Sequence, residues 1–240
     1  MKNQKSAKSV LIMTSLCVVF VAAVLGIAGR GIWNSTAQDK NRDDLIALRD
    51  ALRRGGLREA AKLKGNYVAE FDPHWDFGLF GLESLTKNSS AIVVGRILKR
   101  LDSRIVADGN LIFTDYEVGM EELLKGNIKQ AKTIVVSLPG GRVYFEDGTS
   151  AELTTPSFDQ VRIGNVYTFF LSDLDKSSNA FTLVGGPQGM VDIEDSSRVK
   201  SHGRSTDPVA AETKDKSRES FLREVRNQVR KWPAPGKCCS

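Results

Sequence analysis

The chain has 240 residues, 41% of them hydrophobic and 26% charged, and a formal net charge of +5 at pH 7. This composition is typical of a globular protein and leaves room for one domain of about 100 to 150 residues with flanking pieces. Part of the positive charge comes from lysines at the amino terminus, so it is no argument for nucleic-acid binding. Three cysteines, two of them adjacent, exclude a disulfide framework.

An uncharged segment runs for twenty residues from Val10 to Gly29, after a short leader that carries Lys2, Lys5 and Lys8 and no acid. A helix of this length is about 30 Å long, which matches the hydrocarbon core of a bilayer. Because the lysines lie on the leading side only, the positive-inside rule predicts that residues from Arg30 onward lie outside the cytoplasm. The segment therefore predicts a membrane contact for residues 10–29, preceded by a basic leader at residues 1–9.

Two interpretations of this segment remain open. A retained helix would make the chain a single-pass protein of the cell membrane with its carboxy-terminal domain outside the cytoplasm. A cleaved signal peptide would release a secreted or periplasmic protein, and the small residues of Ser35-Thr36-Ala37 or of Gly26-Ile27-Ala28 offer a cleavage site. The apolar run is longer than the usual core of a signal peptide, which favours the anchor.

Residues 30–83 are predicted to form a helical stalk followed by an aromatic lead-in. Leu45, Leu48 and Leu52 recur at helical spacing, and Gly55-Gly56 is placed to end this helix. The aromatic cluster could be a ligand platform, but rings often cover the edge of a neighbouring domain, and we favour that role. Its members are Phe71, His74, Trp75, Phe77 and Phe80.

Residues 84–194 are predicted to form an antiparallel β-barrel domain, with one or two helical turns at residues 81–87 leading into it. From Ala91 to about Glu194 the period changes to two residues, which is typical of short antiparallel strands in a barrel or sandwich. Asp108-Gly109 and Asp147-Gly148 are predicted hairpin turns, and Pro139-Gly140-Gly141 is a predicted reversal. Residues 121–126 could continue a strand or form a helical turn. The predicted strands are residues 91–98, 103–107, 110–120, 132–138, 142–146, 150–153, 165–171, 180–184 and 190–193.

The last part of the chain changes character twice. Residues 195–216 are rich in Ser, Lys, Asp and Thr and are predicted to be a polar linker. Residues 217–232 are predicted to form a basic amphipathic helix that packs on the β domain, with membrane or partner contact as the alternative. The tail, residues 233–240, ends in Cys238 and Cys239, to which we assign no function.

Six segments of the β region carry a resemblance to known proteins: SAIVVGR (90–96), TDYEV (114–118), ELLKG (122–126), PGGR (139–142), YTFFL (167–171) and GGPQG (185–189). Their order resembles a family of uncharacterised secreted bacterial proteins and, more distantly, the netrin and tissue metalloproteinase-inhibitor module. The resemblance implies a mainly β protein with a small antiparallel, OB-like barrel. The chain lacks the amino-terminal cysteine and the disulfides of those inhibitors, so no inhibitory residue is implied.

Catalytic candidates are few. The two histidines, His74 and His202, are too few for a three-histidine zinc site, and neither has the context of a serine triad. Acidic residues at i and i+2 share a strand face and can bind calcium or act as acid and base, although solvated strand faces carry them routinely. We therefore predict no metal and no cofactor. The pairs are Asp115 with Glu117 and Asp192 with Glu194.

An export signal, a β domain and few catalytic groups together predict a noncatalytic binding module. The expected ligand is a protein, a peptide or an envelope glycan, and not a nucleic acid. The alternatives are a secreted hydrolase that uses a carboxylate pair, and a protease-inhibitor-like module. Loops at the ends of barrels usually carry function, and this selects the candidate contact residues Arg142, Tyr144, Gly185, Gly186, Gln188 and Gly189.

Overall fold

A computed structural model describes residues 42–71, 80–106, 109–128, 131–158, 161–175 and 179–233. Two compact units divide the chain, residues 1–54 and residues 55–240. The predicted membrane segment, Val10 to Gly29, lies outside the described residues, as do His74, Trp75, Cys238 and Cys239. Among the helices that are described, none has both the length and the apolar composition to cross a bilayer.

The first described element is a helix, α1, at residues 42–64. It continues through Gly55 and Gly56, where the sequence predicts its end. Gly56 has a φ of +64°, and the next amide, Leu57 N–H, donates to the carbonyl oxygen of Gly109 at 2.8 Å. A Cβ on Gly56 would lie 2.3 Å from that oxygen, so glycine here allows two backbones to approach closely.

Strands and short helices follow α1, and the prediction of a mainly β protein is confirmed. The strands are β1 (Asn66–Glu70), β2 (Ala91–Val106), β3 (Leu111–Lys125), β4 (Thr133–Pro139), β5 (Gly141–Tyr144), β6 (Ser150–Thr154), β7 (Val166–Asp175), β8 (Ala180–Leu183), β9 (Met190–Asp192) and β10 (Lys200–Ser201). The helices are α2 (Leu82–Asn88), α3 (Pro208–Thr213) and α4 (Arg218–Lys231), with 3₁₀ turns at Pro156–Phe158 and Gly186–Gly189. Residues 121–125 continue β3 as a strand.

Seven strands form one partly closed sheet in the order β10-β9-β7-β2-β3-β4-β8. The sheet turns back on itself because β8, at the end of that order, also pairs with β7. The pairing of β4 with β8 is parallel, and the other pairings in this sheet are antiparallel. The two longest strands, β2 and β3, pair with four shifts of register, which let long strands bend.

A second, smaller sheet has the order β1-β6-β5. Strand β1 is parallel to β6, and β5 is antiparallel to it, so β1 and β5 are the two edges. Burial alternates along both edge strands, as expected for a sheet with one face covered and one face in solvent. The exposed face of this sheet carries Arg142 and Tyr144.

Side chains of β2 and β7 are buried on both faces of the large sheet. Ile92 and Val94 enter one hydrophobic cluster with α2 and α4, whereas Ala91 and Val93 enter the other, with β3, β4 and β8. Strand β7 alternates in the same way. This explains why the run Ala91-Ile92-Val93-Val94 is apolar at every position rather than at every second one.

The segment 195–216, predicted as a polar linker, instead carries β10 and α3 and contributes to the core. Val199 and Val209 belong to the cluster that α2 and α4 cover, and Phe221 and Val225 of α4 complete it. Two valines are enough to bury this segment because other elements supply the rest of the apolar surface. The composition of residues 195–216 alone carries no information on the apolar surface that other elements supply, and it therefore suggested a linker.

Candidate functional site

An open groove with a volume of about 800 Å³ lies between the small sheet and the paired strands β2 and β3. Strands β5 and β6 line one side, and residues 100–103 of β2 with Thr114 and Tyr116 of β3 line the other. The polar lining residues are Arg100, Asp102, Ser103, Thr114, Tyr116, Arg142, Tyr144, Glu152, Thr154 and Thr155. The groove therefore contains two of the residues that the sequence selects, Arg142 and Tyr144.

Arg142 is held on the exposed face of the small sheet by its neighbour across the hairpin. The register places Arg142 opposite Glu152, and its Nε donates to Glu152 Oε2 at 3.0 Å, with a second donation from Nη2. Hydrogen bonding to Tyr144 and then to Glu152 raises the pKa of Arg142 above its ordinary value. The guanidinium stays charged and is fixed by these two neighbours.

Tyr144 lies two residues after Arg142 and so shares its face of the sheet. Its side chain is 72% exposed, the largest value among the large hydrophobic and aromatic residues of the described chain. A ring this exposed contributes little to the core. It is available for contact with another molecule.

The opposite wall is built from a short chain of hydrogen bonds. Arg100 Nη2 donates to Ser103 Oγ at 3.2 Å, Ser103 Oγ lies 2.9 Å from Thr114 Oγ1, and Thr114 Oγ1 donates to the Gly140 carbonyl at 2.7 Å. Arg100 is also opposite Tyr116 in the β2–β3 register. Burial raises the pKa of Tyr116, and the positive charge of Arg100 partly opposes that change.

Two glycines form the end of the groove where β4 passes into β5. Gly140 and Gly141 have φ values of +99° and +127°, which glycine adopts readily. A Cβ on Gly141 would lie 2.1 Å from Thr114 Oγ1, and one on Gly140 would lie 2.8 Å from Thr155 Oγ1. Within the described part of the chain, Thr155 Oγ1 is buried and has no hydrogen-bond partner.

The other selected residues, Gly185, Gly186, Gln188 and Gly189, lie elsewhere. They form a buried 3₁₀ turn after β8, and the Gln188 Oε1 atom accepts a hydrogen bond from Phe80 N–H at 2.8 Å. A Cβ on Gly189 would lie 2.2 Å from the Val184 carbonyl oxygen. The structure does not bring this turn to the groove, and its visible contacts are with the protein itself.

The acidic pairs that suggested a hydrolase have separate partners. On β3, Asp115 accepts from Arg104 at 3.2 Å, and Glu117 lies 2.8 Å from Lys99. At the end of β9, Asp192 accepts from the Glu194 amide, and Glu194 accepts from Val166 N–H, both at 2.9 Å. Each of these carboxylates stabilises backbone or pairs with a cation.

His202 is the histidine that the structure describes. Its ring is stacked near Phe158 and tilted against Tyr167, and Nδ1 lies 3.0 Å from the Ser157 carbonyl oxygen. Burial lowers the pKa of His202 despite the Ser157 carbonyl, which favours the charged form. Within the described ranges, no three side chains of His, Cys, Asp or Glu converge as a metal site would require.

The sequence patterns did not identify most residues of the groove, but they suffice to predict one more, Glu152. The Asp147-Gly148 turn centres the β5–β6 hairpin, and counting five residues outward from Asp147 reaches Arg142 on one side and Glu152 on the other. Glu152 is thus predictable as the partner of Arg142. Nothing local in the sequence links Arg100 or Ser103 to β5.

No family model matches this chain, and no curated protein sequence matches it.

Proposed function

We propose that the protein is a noncatalytic binding module that holds its ligand in the groove between the small sheet and strands β2 and β3. The observation that carries this proposal is Tyr144, a 72%-exposed aromatic side chain beside the hydrogen-bonded pair Arg142 and Glu152. Exposed aromatic and arginine residues are enriched where proteins contact their partners. The groove volume of about 800 Å³ lies within the range of ligand sites.

Binding rather than catalysis is favoured by what the groove's polar groups already contact. Glu152 accepts two hydrogen bonds from Arg142, so its carboxylate is already engaged by a cation. Ser103 and Thr114 bond to each other, Thr114 also donates to the Gly140 carbonyl, and among the described residues neither bonds to a histidine. A nucleophile needs a base within hydrogen-bond reach.

The proposed scaffold is an OB-like barrel made by the ring of strands β7, β2, β3, β4 and β8. Five strands, a parallel pair and a partly closed sheet support it, since OB barrels are partly open five-stranded Greek-key barrels. Strands β5 and β6 of the small sheet are inserted between β4 and β7, whereas its third strand, β1, precedes β2. The proposed location is outside the cytoplasm, supported by the uncharged segment from Val10 to Gly29 after a lysine-rich leader.

The binding proposal is tested with the full chain purified in detergent and incubated with insoluble cell-envelope material. Wild-type protein is expected to sediment with the envelope, and the double variant Arg142→Ala, Tyr144→Ala is expected to lose at least about 90% of this retention, because it removes an anchor pair of the kind that dominates interfaces. Arg223→Ala on α4 is the control and is expected to sediment as wild type. Equal retention of both variants and wild type contradicts the proposal.

The location is tested by fusing a reporter that is active only outside the cytoplasm after Ser240 and producing the fusion in a bacterial host. Activity is expected for the full chain and is expected to fall to background when residues 1–29 are removed. Background activity of the full-chain fusion, together with activity of a second reporter that works only in the cytoplasm at the same position, overturns the proposed location and leaves the groove proposal unaffected.

A further inference from the structure

The groove carries charges of both signs in equal number. Among the described residues that line it, Arg100 and Arg142 supply guanidinium donors, and Asp102 and Glu152 supply carboxylate acceptors. Sites for phosphates or carboxylates usually present an excess of arginine or lysine. Balanced donors and acceptors instead suit an uncharged ligand whose groups both donate and accept, and a hydroxyl group does this.

The ring of Tyr144 gives this polar groove one flat, exposed apolar surface. A tyrosine ring is apolar on its faces and polar at its hydroxyl, so it can pack against an apolar face while its edge stays solvated. A pyranose ring has the matching shape, with C–H groups on one face and hydroxyls around its rim. Arg142 and Glu152 lie next to Tyr144, where they can meet those hydroxyls.

Three of the apolar residues that line the groove offer no pockets for peptide side chains, whereas Leu101 and Val143 are half-buried. Leu138, Leu153 and Phe158 are only 2%, 5% and 9% exposed, because they are already packed in the core. A peptide that adds a strand to a sheet edge gains its specificity from pockets for alternate side chains. The free edge of β5 lacks such pockets among these residues, which favours a sugar over a peptide.

One buried group at the end of the groove lacks a partner. Thr155 Oγ1 is buried and has no hydrogen bond within the described residues, and a Cβ on Gly140 would lie 2.8 Å from it. Buried hydroxyls are usually hydrogen-bonded. Both residues line the groove.

We propose that the groove binds an uncharged oligosaccharide, with one sugar ring stacked on Tyr144 and neighbouring hydroxyls bonded to Arg142 and Glu152. This assignment rests on the binding function proposed above and adds the chemical class of the ligand. An extended, open groove fits a chain of sugar units better than a single one.

The test measures binding of the full chain in detergent to three probe sets by calorimetry and by quenching of tyrosine fluorescence. The sets are uncharged hexasaccharides (cellohexaose, maltohexaose and chitohexaose), oligogalacturonate, and a library of unstructured decapeptides. At least one uncharged hexasaccharide is expected to bind, and Tyr144→Ala is expected to weaken it by at least about tenfold, the range of a lost aromatic contact. Tyr144→Phe keeps the ring and is expected to stay within about threefold of wild type.

Ile163→Ala is the matched control, because Ile163 is 61% exposed and lies outside the groove lining. It is expected to bind as wild type. Tighter binding of oligogalacturonate, or peptide binding that depends on Tyr144 without any hexasaccharide binding, overturns the sugar assignment and leaves the binding module intact. If no probe binds and the envelope retention is also insensitive to Arg142 and Tyr144, the binding function itself is contradicted.

Discussion

Polar side chains around α2 and polar side chains in the groove have different partners. Around α2, the polar side chains bind backbone groups: Glu212 accepts from Leu82 N–H at 2.7 Å at the start of the helix, and Lys125 Nζ donates to the Thr86 carbonyl at 2.6 Å near its end. Both charges also complement the helix dipole. In the groove, Arg100, Arg142 and Tyr144 are exposed and bind other side chains. Polar groups near α2 thus stabilise the fold, and those in the groove stay accessible to a ligand.

The largest expected difference between the two regions is in stability. Phe221→Ala is expected to lower the free energy of unfolding by about 3 to 5 kcal/mol, because Phe221 is fully buried in the cluster that α2 and α4 cover. Tyr144→Ala is expected to change it by less than about 0.5 kcal/mol, because exposed side chains rarely contribute more. Chemical denaturation of both variants measures the difference, and similar losses would mean that Tyr144 belongs to the core.

A smaller effect is expected at the end of the groove that Gly140 and Gly141 form. Gly141→Ala is expected to cost about 2 to 3 kcal/mol, because its φ is +127° and the new Cβ would meet Thr114. Gly148→Ala is the matched control: its φ is +81°, but nothing lies within 4 Å, so only about 1 kcal/mol is expected. Denaturation midpoints of the two variants measure their losses of stability. Equal losses would show that the close approach of Gly141 to Thr114 does not affect stability.

Removing the charge of Lys125, the β3 residue that contacts the end of α2, tests whether the polar contacts of α2 support the fold. Lys125→Met leaves the Thr86 carbonyl without this donor, and we expect a loss of about 1 to 3 kcal/mol in the free energy of unfolding. Lys231→Met, at an exposed lysine of α4, is expected to stay within about 0.5 kcal/mol of wild type. An unchanged free energy of unfolding in Lys125→Met would show that this hydrogen bond is dispensable.

The smallest expected effect is the pH dependence from His202. Because burial lowers its pKa, the unfolded chain binds a proton at a higher pH than the folded protein does. Stability is then independent of this group above the unfolded pKa of about 6.5 and falls as the pH drops below it. Melting temperatures between about pH 7.5 and pH 5.5 measure the fall, and His202→Phe is expected to reduce it. An unchanged slope in that variant would assign the pH dependence to other groups.

Local patterns predicted the elements that depend on neighbours in sequence. The Asp147-Gly148 turn is present, with Phe145 N–H donating to Thr149 and Gly148 at positive φ, and the reversal at Gly140 and Gly141 joins β4 to β5. The helix α4 has its apolar residues in the core cluster with α2. These features follow from turn chemistry and side-chain periodicity, which act over a few residues.

Long-range contacts explain what the patterns did not predict. Gly56 does not end α1, because its backbone packs against Gly109, more than fifty residues away. The valines of the segment 195–216 are buried by partners from α2, β2 and α4. For the candidate site, Arg142 and Tyr144 lie in the groove, whereas the turn at Gly185–Gly189 is closed by Phe80 and Val184.

By itself, the sequence determined the mainly β character of the protein, the positions of its tight reversals and the amphipathic face of its last helix. These depend on the conformational limits of glycine and proline and on a spacing that neighbouring residues share. Only the tertiary structure decided which charged groups face solvent together. Arg100 and Arg142 belong to strands that are not paired with each other, and only the packing of the small sheet beside β2 and β3 brings their side chains to one groove.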